Sequence, residues 1–175
     1  MTIKIRKLVQ GDAMQYRQIR LESLKAHPES FGASYEKQSL LPKLMFEKAF
    51  EEPVDDRFVI GAFDQGELIG ICGFVPFALD DVLELRNAGT LIQMYVRSTY
   101  SGRKIGLNLT KATIREVFSL TELEQIVLGV KKGNISAIRV YEQAGFQPYH
   151  PEGEGGESDN AGFQVMIIHR QDANL

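Results

Sequence analysis

The sequence predicts a single α/β domain with a mixed sheet. Two apolar, β-rich runs at residues 57–63 and 68–75 flank the turn-forming residues 64–67, a pattern typical of an antiparallel hairpin. Farther along, the order is strand, helix, strand, helix and a closing pair of strands, which favours a mixed sheet covered by helices. The chain has 175 residues and contains neither an internal repeat nor a linker, so we expect one domain spanning residues 1–175.

The first part of the chain predicts a strand and two helices. Ile3, Ile5 and Leu8 mark a first strand, since apolar and polar residues alternate from Ile3 to Arg6. Asp12 is then a candidate N-cap for a helix that extends through Leu24. Residues 27–32 form a turn-rich loop, and residues 41–50 are interpreted as a second helix with a proline in its first turn.

The second part, after the hairpin, contains the central strand. Residues 90–96 are almost continuously apolar, as expected of a strand covered on both faces. A helix from about residue 104 to 120 carries apolar residues on two nearly opposite stripes, which predicts cover on both sides. A short strand at 125–130 follows, and residues 146–150 and 163–169 predict the closing strand pair.

Composition excludes several classes of protein. A net charge of −3 and a pI near 5.7 argue against nucleic acid as the main ligand. The single cysteine, Cys72, excludes an internal disulfide, and the three histidines have no ligand spacing, so no metal site is predicted. The N-terminus lacks the apolar core of a signal peptide, and no run reaches 18 apolar residues. We therefore expect a cytoplasmic protein that does not bind membranes.

One short helix stands out, between Gly133 and Phe146. Asn134 is its candidate N-cap, Gly145 can adopt the left-handed conformation after its last turn, and Phe146 can pack back over that turn. Tyr141 lies two helical turns after Asn134, on the same face and about 10 Å away. A single elongated ligand could therefore contact both side chains.

A basic, glycine-containing loop precedes this helix by about 30 residues. It connects the predicted central strand to the next helix, so its backbone N–H groups lie at the positive end of a helix dipole, where a pyrophosphate binds well. The candidate phosphate-binding residues are Ser101, Gly102, Arg103, Lys104, Ile105 and Gly106.

Together these segments resemble the GCN5-related N-acetyltransferase (GNAT) family. The family pattern Asn-x-x-Ala-x-x-x-Tyr-x-x-x-Gly-Phe is met at every named position from Asn134 to Phe146. The family's loop signature is kept only at Gly106, because Ser101 replaces its first Arg or Gln and Lys104 its middle glycine. A left-handed Lys104 would cost about 1 kcal/mol, so we expect ordinary helical geometry there.

The resemblance implies a mixed, mostly antiparallel sheet of six to seven strands flanked by about four helices. It also implies an N-acetyltransferase that transfers the acetyl group of acetyl-CoA to a primary amine of a small molecule or peptide by direct attack. Tyr141 is then the general acid for the leaving thiolate, and Asn134 orients the pantetheine arm or the tyrosine. The backbone of Met94, Tyr95 and Val96 would bind that arm where the family splays its central strand. Homodimers are frequent in the family, although this sequence offers no independent support for one.

The acceptor is less defined. Residues 29–36 resemble the family's substrate loop, with Phe31 and Tyr35 as candidate pocket walls. Glu84 and Glu36 are candidate general bases or simply exposed charges. The acidic, glycine-rich residues 151–160 are either a solvated hairpin loop or a lid that attracts a cationic amine, such as a polyamine, an aminoglycoside or a lysine side chain. A non-catalytic acyl-CoA-binding module is the alternative function, and Tyr141 favours the enzyme.

Overall fold

Seven strands form one open sheet in the computed structural model, which describes residues 2–52, 56–77, 85, 87–150 and 162–173. Their order across the sheet is β1-β2-β3-β4-β5-β7-β6, and only β4 and β5 run parallel. The predicted mixed, mostly antiparallel sheet is therefore confirmed. The strands are β1 (Lys4–Lys7), β2 (Phe58–Asp64), β3 (Glu67–Val75), β4 (Ala88–Val96), β5 (Gln125–Lys131), β6 (Gln147–Pro148) and β7 (Phe163–His169).

Five α-helices occur in the described residues, against the four or so that we expected. They are α1 (Ala13–Ala26), α2 (Tyr35–Ser39), α3 (Met45–Glu51), α4 (Ile105–Leu120) and α5 (Ile135–Ala144). The five-residue α2 was not predicted, and its first two residues belong to the expected substrate loop at 29–36. The start of the second predicted helix, at residue 41, is wrong: α3 begins at Met45, because the Glu47 carboxylate accepts a hydrogen bond from the Leu44 N–H and caps the helix there.

The predicted hairpin between β2 and β3 is confirmed. Gln65 and Gly66 form its two-residue turn, and both have positive φ, 50° and 89°. This is the backbone of a type I′ turn, whose twist matches that of the flanking strands. The hairpin places nine-residue β3 next to β4, the strand that forms the candidate site.

Two apolar cores lie on opposite faces of the sheet. Along β2, Phe58 and Ile60 belong to the core shared with α4 and α5, whereas Val59 belongs to the core shared with α1 and α3. This alternation is the period of two that a strand imposes. No helix in the described part of the chain is long and apolar enough to cross a membrane.

Candidate active site

The centre of the sheet contains an opening between β4 and β5. The two strands pair at only three positions, Ala88–Thr90 with Gln125–Val127, although β4 continues to Val96 and β5 to Lys131. Beyond Thr90 the backbone of β4 faces this opening without a β5 partner. The predicted splay, with free backbone groups near Met94, is present.

A bulge in β4 lies beside the opening. The register with β3 shifts so that Ile71 faces Tyr95 while Gly73 faces Ile92, and Gln93 has a positive φ of 57°. The extra residue interrupts the alternation of side chains. As a result Met94 packs with the α4 and α5 core, while Gln93 accepts a hydrogen bond from the Tyr16 hydroxyl of α1, at 2.8 Å.

The loop between β4 and α4 is exposed and leads into the free first-turn amides of α4. Residues 101–104 are exposed, and Gly102 has a φ of 77°. The first intrahelical hydrogen bond runs from the Asn108 N–H to the Lys104 carbonyl, so the amides of Ile105, Gly106 and Leu107 precede the helical ladder. These three donors, with the charges of two basic side chains beside them, suit an anionic ligand.

The expectation for Lys104 is wrong. Its φ of 57° and ψ of 15° are left-handed, as they would be for the family's glycine at this position. Lys104 is the N-cap residue of α4, where the chain reverses from the loop into the helix, and the loop geometry overrides the preference of the side chain. The cost is about 1 to 2 kcal/mol.

Gly106 lies close to β4. A Cβ atom at this position would be 2.9 Å from Cε of Met94 and 3.8 Å from Val140 of α5. Absence of a side chain here allows α4, α5 and the bulged part of β4 to meet. The start of α4 therefore lies next to the part of β4 that has no β5 partner, and we call these two features together the cleft.

Helix α5 begins and ends as predicted. Asn134 is the N-cap, and its Oδ1 accepts a hydrogen bond from the Ala137 N–H at 3.2 Å. At the other end Gly145 has a φ of 106°, and the Phe146 N–H donates to the Tyr141 carbonyl at 3.0 Å. This is a Schellman motif. It fixes the last turn of the helix, which carries Tyr141.

Tyr141 lies in the core at 6% exposure, with its ring edge-on to Phe146 at 5.9 Å between centroids. Burial, and to a smaller extent the neighbouring Cys72, raises the pKa of its phenol above the ordinary value. No hydrogen bond among the described residues occupies that hydroxyl. Tyr141 is therefore a neutral phenol with a proton to donate at any physiological pH.

Glu22 and Arg97, which the sequence analysis did not single out, tie α1 to the end of β4 together with the side chain of Tyr95. The Glu22 carboxylate accepts hydrogen bonds from the Tyr95 hydroxyl at 2.9 Å and from Nε of Arg97 at 3.0 Å. Arg97 also donates to Glu67. We interpret Glu22 as a structural link that holds α1 against the end of β4. The contacts join residues about 75 positions apart, and no local pattern indicates them.

The expected acceptor residues are placed as follows. Phe31 packs under the guanidinium of Arg20, 4.9 Å from the ring centre, on the α1 side of the sheet. Tyr35 begins α2 and has Lys25 above its ring at 5.8 Å, whereas Glu36 is exposed. Glu84 and residues 151–160 lie outside the described residues. No group of three His, Cys, Asp or Glu side chains in the described ranges is arranged to hold a metal ion.

Comparison with known proteins decides the family. The sequence pattern of the acetyltransferase (GNAT) family matches residues 17–146, which includes the cleft, the phosphate loop and α5. The chain belongs to the GNAT family. It is an acetyl-CoA-dependent N-acetyltransferase.

Relatives support this assignment. The chain is 29% identical to a spermine/spermidine N(1)-acetyltransferase of Bacillus subtilis (strain 168) over 108 residues, which are 62% of this chain and 67% of that protein. A GNAT acetyltransferase from Streptococcus pneumoniae has the same fold, with a TM-score of 0.74, 19% identity and coverage of 96% and 99% of the two chains. The PaiA N-acetyltransferase of Thermoplasma acidophilum, solved with coenzyme A, also has this fold, with a TM-score of 0.69 and 23% identity. The match covers 97% of this chain and 99% of that one.

The cleft of this GNAT protein fits acetyl-CoA in the chemistry of its donors. The first-turn amides of α4, with Arg103 and Lys104 beside them, are suited to a pyrophosphate, and the unpaired edge of β4 offers hydrogen-bonding groups to the amides of a pantetheine arm. The Tyr141 helix borders the same cleft through Val140 and Gly106.

Proposed function

We propose that the protein transfers the acetyl group of acetyl-CoA to a primary amine of a small molecule or peptide by direct attack. The observation that carries the proposal is the opening between β4 and β5, with the Tyr141 helix on one face of the sheet and α1 on the other. A cosubstrate in the opening would present its thioester to an amine that approaches from the α1 side. Holding the two reactants together supplies much of the rate enhancement for such a transfer.

The protein groups have separate roles in this proposal. Acetyl-CoA supplies the thioester carbonyl that the neutral amine attacks. A backbone N–H of residues 94–96, free on the splayed side, stabilises the oxyanion that develops, and Tyr141 protonates the departing thiolate. Its raised pKa ensures that the phenol is protonated beforehand. The general base stays unassigned, since Glu84 lies outside the described residues and Glu36 is exposed at the start of α2.

The acceptor class is open to direct test. The Bacillus subtilis relative is a spermine/spermidine acetyltransferase, which makes a polyamine one candidate amine. Calorimetric titration with acetyl-CoA, followed by a free-thiol assay against a panel of amines, tests binding and transfer in one sample. Binding together with thiol release is the expected result. Absence of acetyl-CoA binding would refute the proposal, and binding without release from any amine would favour the non-catalytic module.

Tyr141→Phe tests the proposed acid. We expect kcat to fall by about 10²-fold or more, because a general acid typically contributes 10² to 10⁴. Acetyl-CoA affinity should change little, since the ring and its packing are kept. Tyr149→Phe is the matched control, because Tyr149 follows β6 at the far edge of the sheet. Equal turnover of the Tyr141→Phe and parent proteins across a pH series would exclude Tyr141 from the mechanism.

A further inference from the structure

Arg20 is the most deeply buried charged side chain on α1, with 5% exposure. Among the described residues, its side chain makes one hydrogen bond, from Nη1 to the Ser23 hydroxyl at a long 3.5 Å, and its Nε is buried without a partner. No carboxylate in this part of the chain lies within ion-pair distance of it. Burial of a guanidinium costs desolvation free energy, and one long hydrogen bond offsets little of that cost.

The other arginines show what a purely structural arginine looks like in this protein. Arg6, Arg17 and Arg97 each pair with a carboxylate. Arg170 has no such pair, but it donates to three backbone carbonyls at 2.6 to 2.9 Å. Among the described residues, Arg20 has neither a carboxylate nor a backbone carbonyl as a partner. A structural role therefore does not explain why a charged residue is buried at this position.

The position of Arg20 relates it to the cleft. It lies one helical turn after Tyr16, whose hydroxyl donates to Gln93 on the β4 bulge. Its other neighbour is the ring of Phe31, which covers one face of the guanidinium. A continuous set of contacts therefore runs from the expected acceptor wall, through Arg20, to the strand that borders the opening.

We propose that Arg20 binds an anionic oxygen group, a carboxylate or a phosphate, carried by the amine acceptor. The inference rests on the proposed function and names its substrate class: an amine that also bears an oxyanion, such as an amino acid, a peptide with a free C-terminus or a phosphorylated amine. A guanidinium forms two parallel hydrogen bonds to such a group, and the Nε of Arg20 has no partner among the described residues that would compete for them. A polyamine would instead bring positive charge against an unpaired arginine.

Matched acceptor pairs test the proposal by thiol release at saturating acetyl-CoA. The pairs are β-alanine with β-alaninamide, glycylglycine with its amide, and O-phosphoethanolamine with ethanolamine, and spermidine is the cationic comparison. We expect the anionic member of at least one pair to have a kcat/KM roughly 10- to 100-fold higher, the range for a charged hydrogen-bonded contact. The carboxylate and phosphate pairs distinguish the two sources of the oxyanion. Equal values within every pair, or a preference for spermidine, would overturn the proposal.

Variants separate recognition from folding. Arg20→Met should abolish the preference within a pair, and Arg20→Lys should restore part of it. Arg17→Met, one turn earlier and paired with Glu47, is the control and should keep the preference. An Arg20→Met protein that folds, as judged by urea denaturation, and discriminates as before would refute the role of Arg20.

A binding measurement keeps this inference distinct from the proposed reaction. The complex with CoA is titrated calorimetrically with the anionic member of each pair, using the parent protein and Arg20→Met. Binding that the substitution weakens at least 10-fold supports the anion site even if no amine is acetylated, which would count against the proposed function alone. Absence of binding by all three anionic amines, with CoA bound normally, would refute the anion site.

Discussion

Gly145→Ala tests whether the end of α5 depends on a backbone that only glycine adopts easily. The φ of Gly145 is 106°, and a Cβ there would be 3.0 Å from Cδ1 of Ile168, a side chain with 1% exposure. Left-handed strain costs about 1 to 2 kcal/mol and the tight contact about 1 kcal/mol more. Alanine also lowers the conformational entropy of the unfolded chain, which stabilises the folded state by about 0.4 to 1 kcal/mol. We therefore expect the free energy of unfolding to fall by about 2 kcal/mol in total.

Urea denaturation and thermal melting measure this loss. At this chain length about 2 kcal/mol corresponds to a fall in Tm of roughly 4 to 8 °C. Gly102→Ala is the control for strain alone, because its φ is 77° and nothing lies within 4 Å of the added Cβ. Gly133→Ala is the control in which neither backbone strain nor a steric contact is expected, since its surroundings are open and its φ is not positive. The expected order of destabilisation is Gly145, then Gly102, then Gly133.

A double-mutant cycle separates the contact from the strain. Ile168→Val removes Cδ1, so Gly145→Ala should cost about 1 kcal/mol less in the valine background than in the parent. Equal costs in the two backgrounds would show that the contact is relieved by small shifts. A Gly145→Ala protein as stable as Gly133→Ala would refute the reasoning about the left-handed residue as a whole.

Three further predictions concern the phosphate loop and the first strand. Lys104→Gly should raise the free energy of unfolding, measured by urea denaturation, by up to about 1 kcal/mol. Relief of about 1 to 2 kcal/mol of backbone strain is partly offset by the greater entropy of glycine in the unfolded chain. A destabilised variant would contradict the left-handed φ of 57° at this position. Gly106→Val should displace Met94 and weaken acetyl-CoA binding, measured by calorimetry, by at least 10-fold. Unchanged affinity would show that Gly106 does not contribute to acetyl-CoA binding. Hydrogen bonding by Arg6 holds the pKa of Asp12 below its usual range. Asp12→Asn should therefore cost about 1 to 3 kcal/mol at pH 7. That difference should shrink as the pH falls below about 4 through the lowered folded-state pKa, and a constant difference from pH 7 to pH 2 would exclude the linkage.

Local patterns predicted the elements whose causes are local. The β2 and β3 hairpin followed from Gly66 and the flanking apolar runs, and the bounds of α5 followed from Asn134 and Gly145. In each case the backbone geometry depends on residues within one or two turns, so a short window of sequence contains the information.

The errors have a different cause. Lys104 is left-handed because the loop that leaves β4 must reverse before α4, and its side chain gives no signal of that. The start of α3 depends on Glu47, which also pairs with Arg17 thirty positions earlier. The predicted strand at residues 146–150 shortens to Gln147–Pro148, although the Tyr149 N–H still donates a hydrogen bond to the Val165 carbonyl of β7.

The candidate site was predicted in part. The proposed cosubstrate half consists of the loop and α5, and each of these is a short continuous segment whose sequence resembles a known family. Its acceptor half joins α1, the segment around Phe31 and the bulge at Gln93, which are separated by as many as 77 positions. A buried arginine without a carboxylate can be recognised only when the side chains around it are known. The roles of Tyr141 and Asn134 stay predictions until the variants are measured.

The opening between β4 and β5 has a consequence for cooperativity. Within the described residues, only three residue pairs join β4 to β5 and so connect the strands β1–β4 to the half of the sheet containing β5, β6 and β7. A ligand that hydrogen-bonds along the free edge of β4 completes the sheet in place of a neighbouring strand. Acetyl-CoA at one hundred times its Kd should then add about 2.7 kcal/mol to global stability. Amide hydrogens of β4 and β5 beyond the paired residues should exchange with solvent far more slowly in the complex, so that the two halves open as one unit instead of two.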